Sequence, residues 1–161
     1  MSKTFKFAFV KTIPVMLGYL FLGLAFGLLL QEAGYSFWWA LLISTVVYAG
    51  SIQFVLVSFL TTGTSLPVVA VMTLLINSRH AFYGLTFIEK FKVMKSRPYM
   101  IFSLTDETYS LLCSLKVPEE IDEKKVMFLI SLLDQLYWIV GSVAGAALGQ
   151  VLPFDMTGID F

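Results

Sequence analysis

From Ala33 to Ser78 the chain contains no Asp, Glu, Lys or Arg. No other feature narrows the possible folds as much. The hydrocarbon core of a bilayer is about 30 Å thick, and a helix rising 1.5 Å per residue needs about 20 apolar residues to cross it. The charge-free run holds one stretch of that size, Phe37–Leu60, and the first part of another, Leu66–Ile88. The excess is not local. Hydrophobic residues make up 58% of the chain, charged residues 14%, and the mean hydropathy is +0.83, whereas soluble domains carry about 25% charged residues. Such a chain has too little polar surface to cover itself in water.

Further apolar stretches are Thr12–Leu30, Tyr99–Leu115 and Val126–Leu152. Gly34, Thr61–Ser65, Glu89–Pro98 and Lys116–Lys125 mark the loops between them. No alternating strand pattern suggests a closed barrel, so the spanning segments are helices. Lys3, Lys6 and Lys11 precede Thr12–Leu30 in the manner of a signal peptide. That stretch is longer than a signal core and no A-x-A-like site follows it, so it reads as a retained first span. The expected fold is an all-α polytopic membrane protein, with residues 1–161 as a single membrane domain. Its bundle has about four to five transmembrane helices.

Charge placement adds a conflict. Basic residues favour the cytoplasmic side. That puts both the Lys3, Lys6, Lys11 cluster and the Lys90, Lys92, Lys95, Arg97 cluster inside, and an even number of crossings must separate them. Three apolar segments lie between. The segment containing "VVYAGSIQF", Val46–Phe54, offers a solution. Ala49, Gly50 and Ser51 weaken a helix there and Gln53 adds an amide. A helix broken or re-entrant near Ala49–Ser51 contributes no net crossing, and non-helical backbone at membrane depth is tolerated where it lines a cavity. The alternative is an intact span whose flanking loop violates a statistical rule. Glycines recur at Gly18, Gly23 and Gly27 and again, four apart, at Gly141, Gly145 and Gly149. They let another backbone approach closely, and glycine-rich helices near both ends also fit an internal repeat.

Arg79 is the other constraint. It lies about 20 Å along a helix from Leu66 and about 14 Å from Ile88, and arginine near a span centre costs about 2.5–3.5 kcal/mol on insertion scales. A guanidinium is a fork suited to a carboxylate. Three readings stand: an anion or carboxylate site; a fixed ion pair with Asp106, Glu107 or Asp134; or a shorter helix with Arg79 at the membrane surface. Asn77 and Gly84 share one helical face, Arg79 and Tyr83 another. Asp106 and Glu107 are adjacent, so they point to different neighbours. One can bind an ammonium group or carry a proton, unless Tyr99–Leu115 lies along the surface. Asp134 is either a counter-charge for Arg79 or a headgroup-level residue. Trp38 and Trp39 suit an interfacial aromatic belt.

Composition excludes other classes. Eleven basic residues balance eleven acidic ones, so nothing offers the basic face that nucleic acid requires. Cys113 is alone, so there is no intrachain disulfide, and no Cys/His spacing suits a metal. No GxxxxGK[ST] stretch is present. A single histidine without HExxH or a Ser–His–Asp arrangement argues against an enzyme. No cofactor is expected.

Several patches in order now carry a resemblance: Pro14 with Gly18, Phe26–Gly27, "YAGSIQF" at Tyr48–Phe54, "NSRHAFYG" at Asn77–Gly84, "LTDETYSLL" at Leu104–Leu112 and "YWIVGSVAGAALG" at Tyr137–Gly149. Together the chain resembles the AzlC-type family, the large subunits of branched-chain amino acid permeases. The resemblance implies secondary export of leucine, isoleucine and valine across the cytoplasmic (inner) membrane by a multi-pass protein working with a small AzlD-type membrane subunit. Typical members continue past the equivalent of Phe161 with further spans, which keeps open a non-transporting membrane subunit or assembly module. The resemblance supplies no residue roles. On physical grounds the substrate-binding candidates are Tyr48, Gly50, Ser51, Gln53, Asn77, Arg79 and Tyr83. The candidates for proton or ammonium coupling are Asp106, Glu107 and Asp134.

Overall fold

The computed structural model describes residues 2–151, and every regular element among them is helical. The expected end of the last span at Leu152 and the polar-flanked tail lie outside the described residues. Three helices are long and apolar enough to cross a membrane: α1 (Lys3–Glu32), α4 (Leu66–Lys92) and α7 (Glu123–Val151). Two pairs of shorter helices separate them, α2 (Phe37–Val46) with α3 (Gly50–Thr62), and α5 (Arg97–Phe102) with α6 (Asp106–Cys113). Local chemistry sets the boundaries. The Ser2 hydroxyl accepts the Phe5 N–H at the start of α1. Asp122 accepts the Lys124 and Lys125 N–H groups where α7 begins, satisfying donors that a helix start leaves unpaired. Those bonds, that from Lys125 first, hold the Asp122 carboxyl below the usual carboxylate range. Gly63, in the left-handed conformation at φ +63°, ends α3, as a glycine without a Cβ does at low cost.

α1 and α7 pack along their length through the glycines. A Cβ on Gly23 would sit 2.9 Å from Ser142 N, and one on Gly141 would sit 2.9 Å from the carbonyls of Tyr19 and Leu20. Further along, Gly145 meets Leu24 and Gly149 meets Leu28 and Gln31. Numbering rises together on both helices, so they are parallel. The glycine face therefore serves close packing, and two parallel helices are not the mates of an inverted repeat.

The first short pair enters from the end where α1 finishes. α2 runs beside α7 until the Gln135 side chain donates to the Thr45 carbonyl at 3.3 Å. The chain turns through Val47, Tyr48 and Ala49, with Tyr48 at φ +37°, a region that bulky residues avoid. α3 restarts with Gly50 against the Trp138 ring and runs back, placing Phe54 5.8 Å from Phe26 and Leu56 and Val57 on the same apolar cluster as Leu30. The expected break is thus present, and the segment returns to the side it came from. The second short pair does the same from the opposite end. In α5 the Tyr99 hydroxyl donates to Gln135 at 2.8 Å. The chain turns through Ser103, Leu104 and Thr105, and α6 returns until Leu112 packs with Ala8, Val126 and Met127.

α4 crosses between the two pairs. Its start follows α3, its middle touches the turns, and Phe87 and Phe91 pack with Ala8 and Val126 beside the first turns of α1 and α7. Among the described residues three helices are long and apolar enough to cross, joined by two short reversing pairs, where about four to five spans were expected. The break in Tyr99–Leu115 was not anticipated, and the surface-lying alternative for that stretch is overturned by its burial at Met100, Leu104 and Thr108. The topology also resolves the charge conflict. Lys3, Lys6, Lys11, Lys90, Lys92, Lys95, Arg97, Lys116, Lys124 and Lys125 all lie at one end, a one-sided placement that agrees with the positive-inside rule. Only Arg79 is elsewhere.

The unit α1–α2–α3 is matched by α4–α5–α6. Each has a long helix, a four-residue link (33–36 and 93–96), a short helix, a three-residue turn (47–49 and 103–105) and a second short helix. The two units run in opposite directions, the inverted-topology arrangement. In a Cys113→Ser background, cysteines at Gly34 and Thr64 are expected to react with an impermeant maleimide from one face of intact cells. Cysteines at Lys95 and Glu119 react only after permeabilisation. Labelling of Gly34 and Thr64 from opposite faces excludes the first re-entrant pair.

Candidate functional site

The turns of the two pairs meet at mid-depth, where Phe102 lies 6.2 Å from Tyr48. Arg79 is the middle residue of α4, about 20 Å from either end at 1.5 Å per residue, so its side chain does not reach a headgroup layer. One guanidinium nitrogen, Nη1, pairs with Asp106 Oδ2 at 2.7 Å. The other, Nη2, donates to Ser51 Oγ at 2.8 Å. Arg79 thereby ties the first turn of α3 to the first turn of α6. Of the three acids named as possible partners of Arg79, Asp106 is the one it pairs with. The pair does not close the site, for the Arg79 side chain is 41% exposed.

The exposed side of Arg79 faces a cavity of about 150 Å³, a size that elsewhere holds a benzene-sized group. Its polar wall is formed by Tyr48, Ser51, Asn77, Arg79, Asp106 and Glu107. Leu22, Phe54 and Trp138 supply apolar surface, and Tyr19, Ala49, Gly50, His80 and Thr105 complete it. Both α3 and α6 begin at this cavity, so their unpaired first-turn N–H groups and positive dipole ends favour an anion there. Five atoms of the lining residues, Tyr48 OH, Asn77 Oδ1, Arg79 Nε, Asp106 Oδ1 and Trp138 Nε1, are buried without a hydrogen-bond partner. Leaving such groups unsatisfied costs about 1–3 kcal/mol each, and they mark a site that receives polar groups.

Of the sequence candidates, Tyr48, Gly50, Ser51, Asn77, Arg79, Asp106 and Glu107 line this cavity. Three do not. Gln53 is fully buried behind the first turn, its amide donating to Ser44 Oγ at 3.5 Å, and it braces α3 against α2. Tyr83 stacks on Tyr109 at 4.3 Å, outside the wall. Asp134 is fully buried and accepts from the Thr108 hydroxyl at 2.8 Å. Its partner is thus Thr108 of α6, while Arg79 pairs with Asp106. The adjacent acids do point apart, Asp106 to Arg79 and Glu107 to the Tyr19 hydroxyl at 2.7 Å. Sequence reasoning missed Tyr19, Thr105 and Trp138. A signal existed only for Thr105, whose side chain accepts the Thr108 N–H as an N-cap, a role its place before Asp106 and Glu107 suits.

The profile of a family described as AzlC protein matches residues 14–152. The chain belongs to the AzlC family. It is 43% identical over 160 residues to an uncharacterized membrane protein of Helicobacter pylori, covering 99% of this chain and 70% of that protein. It is 37% identical over 159 residues to the branched-chain amino acid transport protein AzlC of Bacillus subtilis, covering 98% and 62%. It is 28% identical over 155 residues to the inner membrane protein YgaZ of Escherichia coli, covering 94% and 63%. The chain thus spans about two thirds of the length of these AzlC relatives. No solved structure matches it.

Proposed function

We propose that this chain is the large subunit of a two-component permease that exports leucine, isoleucine and valine across the cytoplasmic membrane, together with a small AzlD-type membrane subunit. One observation carries the reading. A guanidinium stands at mid-membrane, half open, between two helix starts that enter from opposite faces.

A branched-chain amino acid is a zwitterion with an alkyl side chain, and the wall chemistry is complementary to it. The carboxylate takes the free side of Arg79, the Asn77 amide and the first-turn N–H groups of α3. The ammonium goes to Glu107 and the second oxygen of Asp106. The alkyl group packs on Leu22, Phe54 and Trp138. Hairpins reaching in from opposite faces suit alternating access, since movement of either one opens the same central site to one side. The name of the Bacillus relative supports the substrate class. The site holds groups for binding a zwitterion rather than a nucleophile poised beside a base.

The test is efflux of radiolabelled leucine from preloaded cells that lack their own exporter. Cells carrying this chain and the small subunit lose label faster than cells carrying the small subunit alone. Equal efflux, with the chain present in the membrane, supports a non-transporting membrane subunit instead.

A further inference from the structure

The buried Asp134 is joined to the cavity by an unbroken row of hydroxyl groups. The Glu107 carboxylate at the cavity wall lies 2.7 Å from Tyr19 OH. Tyr19 OH lies 2.6 Å from Thr105 Oγ1, Thr105 Oγ1 lies 3.0 Å from Thr108 Oγ1, and Thr108 Oγ1 lies 2.8 Å from Asp134 Oδ2. One end is wet, since Glu107 is exposed. The other is dry, since Asp134 is fully buried and its Oδ1 has no partner.

Counting hydrogens decides what this row is. It has four links, Glu107–Tyr19, Tyr19–Thr105, Thr105–Thr108 and Thr108–Asp134. Each link needs one hydrogen. The three hydroxyl groups supply three, because Tyr and Thr each carry a single O–H. With both carboxyls ionised, Tyr19 donates to Glu107, Thr105 donates to Thr108 and Thr108 donates to Asp134. Thr105 has one hydrogen for two links, to Thr108 at 3.0 Å or to Tyr19 at 2.6 Å, so one of the two stays empty. Two oxygens at 2.6 Å, closer than the usual O–H···O separation of about 2.7–2.8 Å, require a hydrogen between them. The row is complete when one further proton is present, on either terminal carboxyl.

We propose that Glu107, Tyr19, Thr105, Thr108 and Asp134 form a relay that holds one exchangeable proton and carries it between the cavity and Asp134. With the proton on Asp134, each hydroxyl donates toward Glu107, which is left as a carboxylate. With the proton on Glu107, all three donate toward Asp134. To pass inward, the Glu107 O–H bond breaks and Tyr19 gains that hydrogen. Tyr19 gives its own to Thr105, Thr105 to Thr108, and Thr108 to Asp134 Oδ2. One proton moves and three hydroxyls reverse.

The surroundings favour a proton over a cation at the dry end. The titratable groups facing Asp134 are Tyr48 from the first turn, Tyr99 from α5 and Glu107 from α6. Among the described residues no Lys or Arg forms an ion pair with Asp134, and Arg79 is engaged by Asp106. An ionised carboxylate buried without a cation is costly, so the extra proton also removes a penalty. Glu107 is a candidate ammonium ligand in the proposed transport cycle. Substrate and proton then compete for the same carboxyl, the condition for exchanging one against the other. This last consequence rests on the transport reading, but the proton count does not.

Infrared spectra of the purified protein in lipid nanodiscs test the relay. At neutral pH the wild type is expected to show the C=O stretch of a protonated carboxyl. Asp134→Asn or Glu107→Gln alters that band. Tyr19→Phe leaves both carboxyls in place but removes the hydroxyl between them, and it shifts the band, which a merely buried acid would not reproduce. No protonated-carboxyl band in the wild type at neutral pH overturns the relay. So does a band that both Asp134→Asn and Glu107→Gln leave as in the wild type, or one unmoved by Tyr19→Phe. Leucine added to the same sample is read separately by its binding isotherm. If leucine does not bind, the substrate assignment falls while the proton count stands.

Discussion

Replacing Arg79 with lysine is expected to lower leucine export by between about 10- and 150-fold at matched expression. Lysine keeps the positive charge, so Asp106 stays paired and the region between the two turns keeps its net charge. What lysine lacks is the planar fork. The guanidinium engages Asp106 through Nη1 and Ser51 through Nη2 while its Nε has no partner. An ammonium on a flexible stem does not reproduce those directions together with a free side for the substrate. A hydrogen bond to a charged group contributes about 1.5–3 kcal/mol. At 1.4 kcal/mol per tenfold change in affinity, losing one such bond from the occupied site gives the stated range. Arg79→Gln is expected to be worse, because it also leaves the Asp106 charge without its partner. If Arg79→Lys transports like wild type, the guanidinium does not hold the substrate carboxylate.

The second large effect is on stability. Gly27→Ala or Gly145→Ala is expected to lower the thermal midpoint of the purified protein by at least about 6 °C. A Cβ on Gly27 would collide with the carbonyl of Ser142, and one on Gly145 with the carbonyl of Leu24. Both obstacles are helix backbone, which does not rotate aside as a side chain does. Overpacking a tight interior costs about 1–3 kcal/mol, and these positions lie at the upper end of that range because both helices must move apart. For a chain of this size 1 kcal/mol corresponds to about 2–4 °C. Gly18 and Gly84 are the controls. Nothing lies within 4 Å of a Cβ at either, so Gly18→Ala and Gly84→Ala leave the midpoint unchanged or raise it, since alanine is better than glycine in a helix by about 0.5–1 kcal/mol. If Gly27→Ala unfolds where Gly18→Ala does, the close approach of α1 and α7 is wrong.

Much of this architecture was legible before the structure. The charge-free stretch from Ala33 to Ser78 demanded membrane helices. Counting crossings between the two basic clusters exposed a break near Ala49–Ser51, because a topology rule on charge is independent of hydropathy; the turn itself falls at residues 47–49. No comparable conflict flagged the second break. Folding Tyr99–Leu115 back instead of laying it along the surface leaves the lysine clusters already weighed on the same side. The turn at Ser103–Thr105 also lacks a glycine or proline to announce it. The partner of Asp134 was not legible for a related reason. Its role depends on which helix stands beside it, and α6 enters there only because the chain reverses at Leu104.

The sequence by itself determined the solvent, the helical class, the glycine faces and the presence of a buried charge. Each of these follows from composition or from spacing along one helix, where hydrophobic transfer and the 3.6-residue period act locally. Only the tertiary structure decided that two re-entrant pairs meet at Arg79, and that Asp106 rather than Asp134 neutralises it. It alone placed Tyr19, Thr105 and Thr108 in line between two acids. Tyr19 and Thr105 are hydrogen-bonded although 86 residues apart in the chain. A hydrogen bond depends on tenths of an ångström between atoms on different helices, and no periodicity within a single helix encodes that distance.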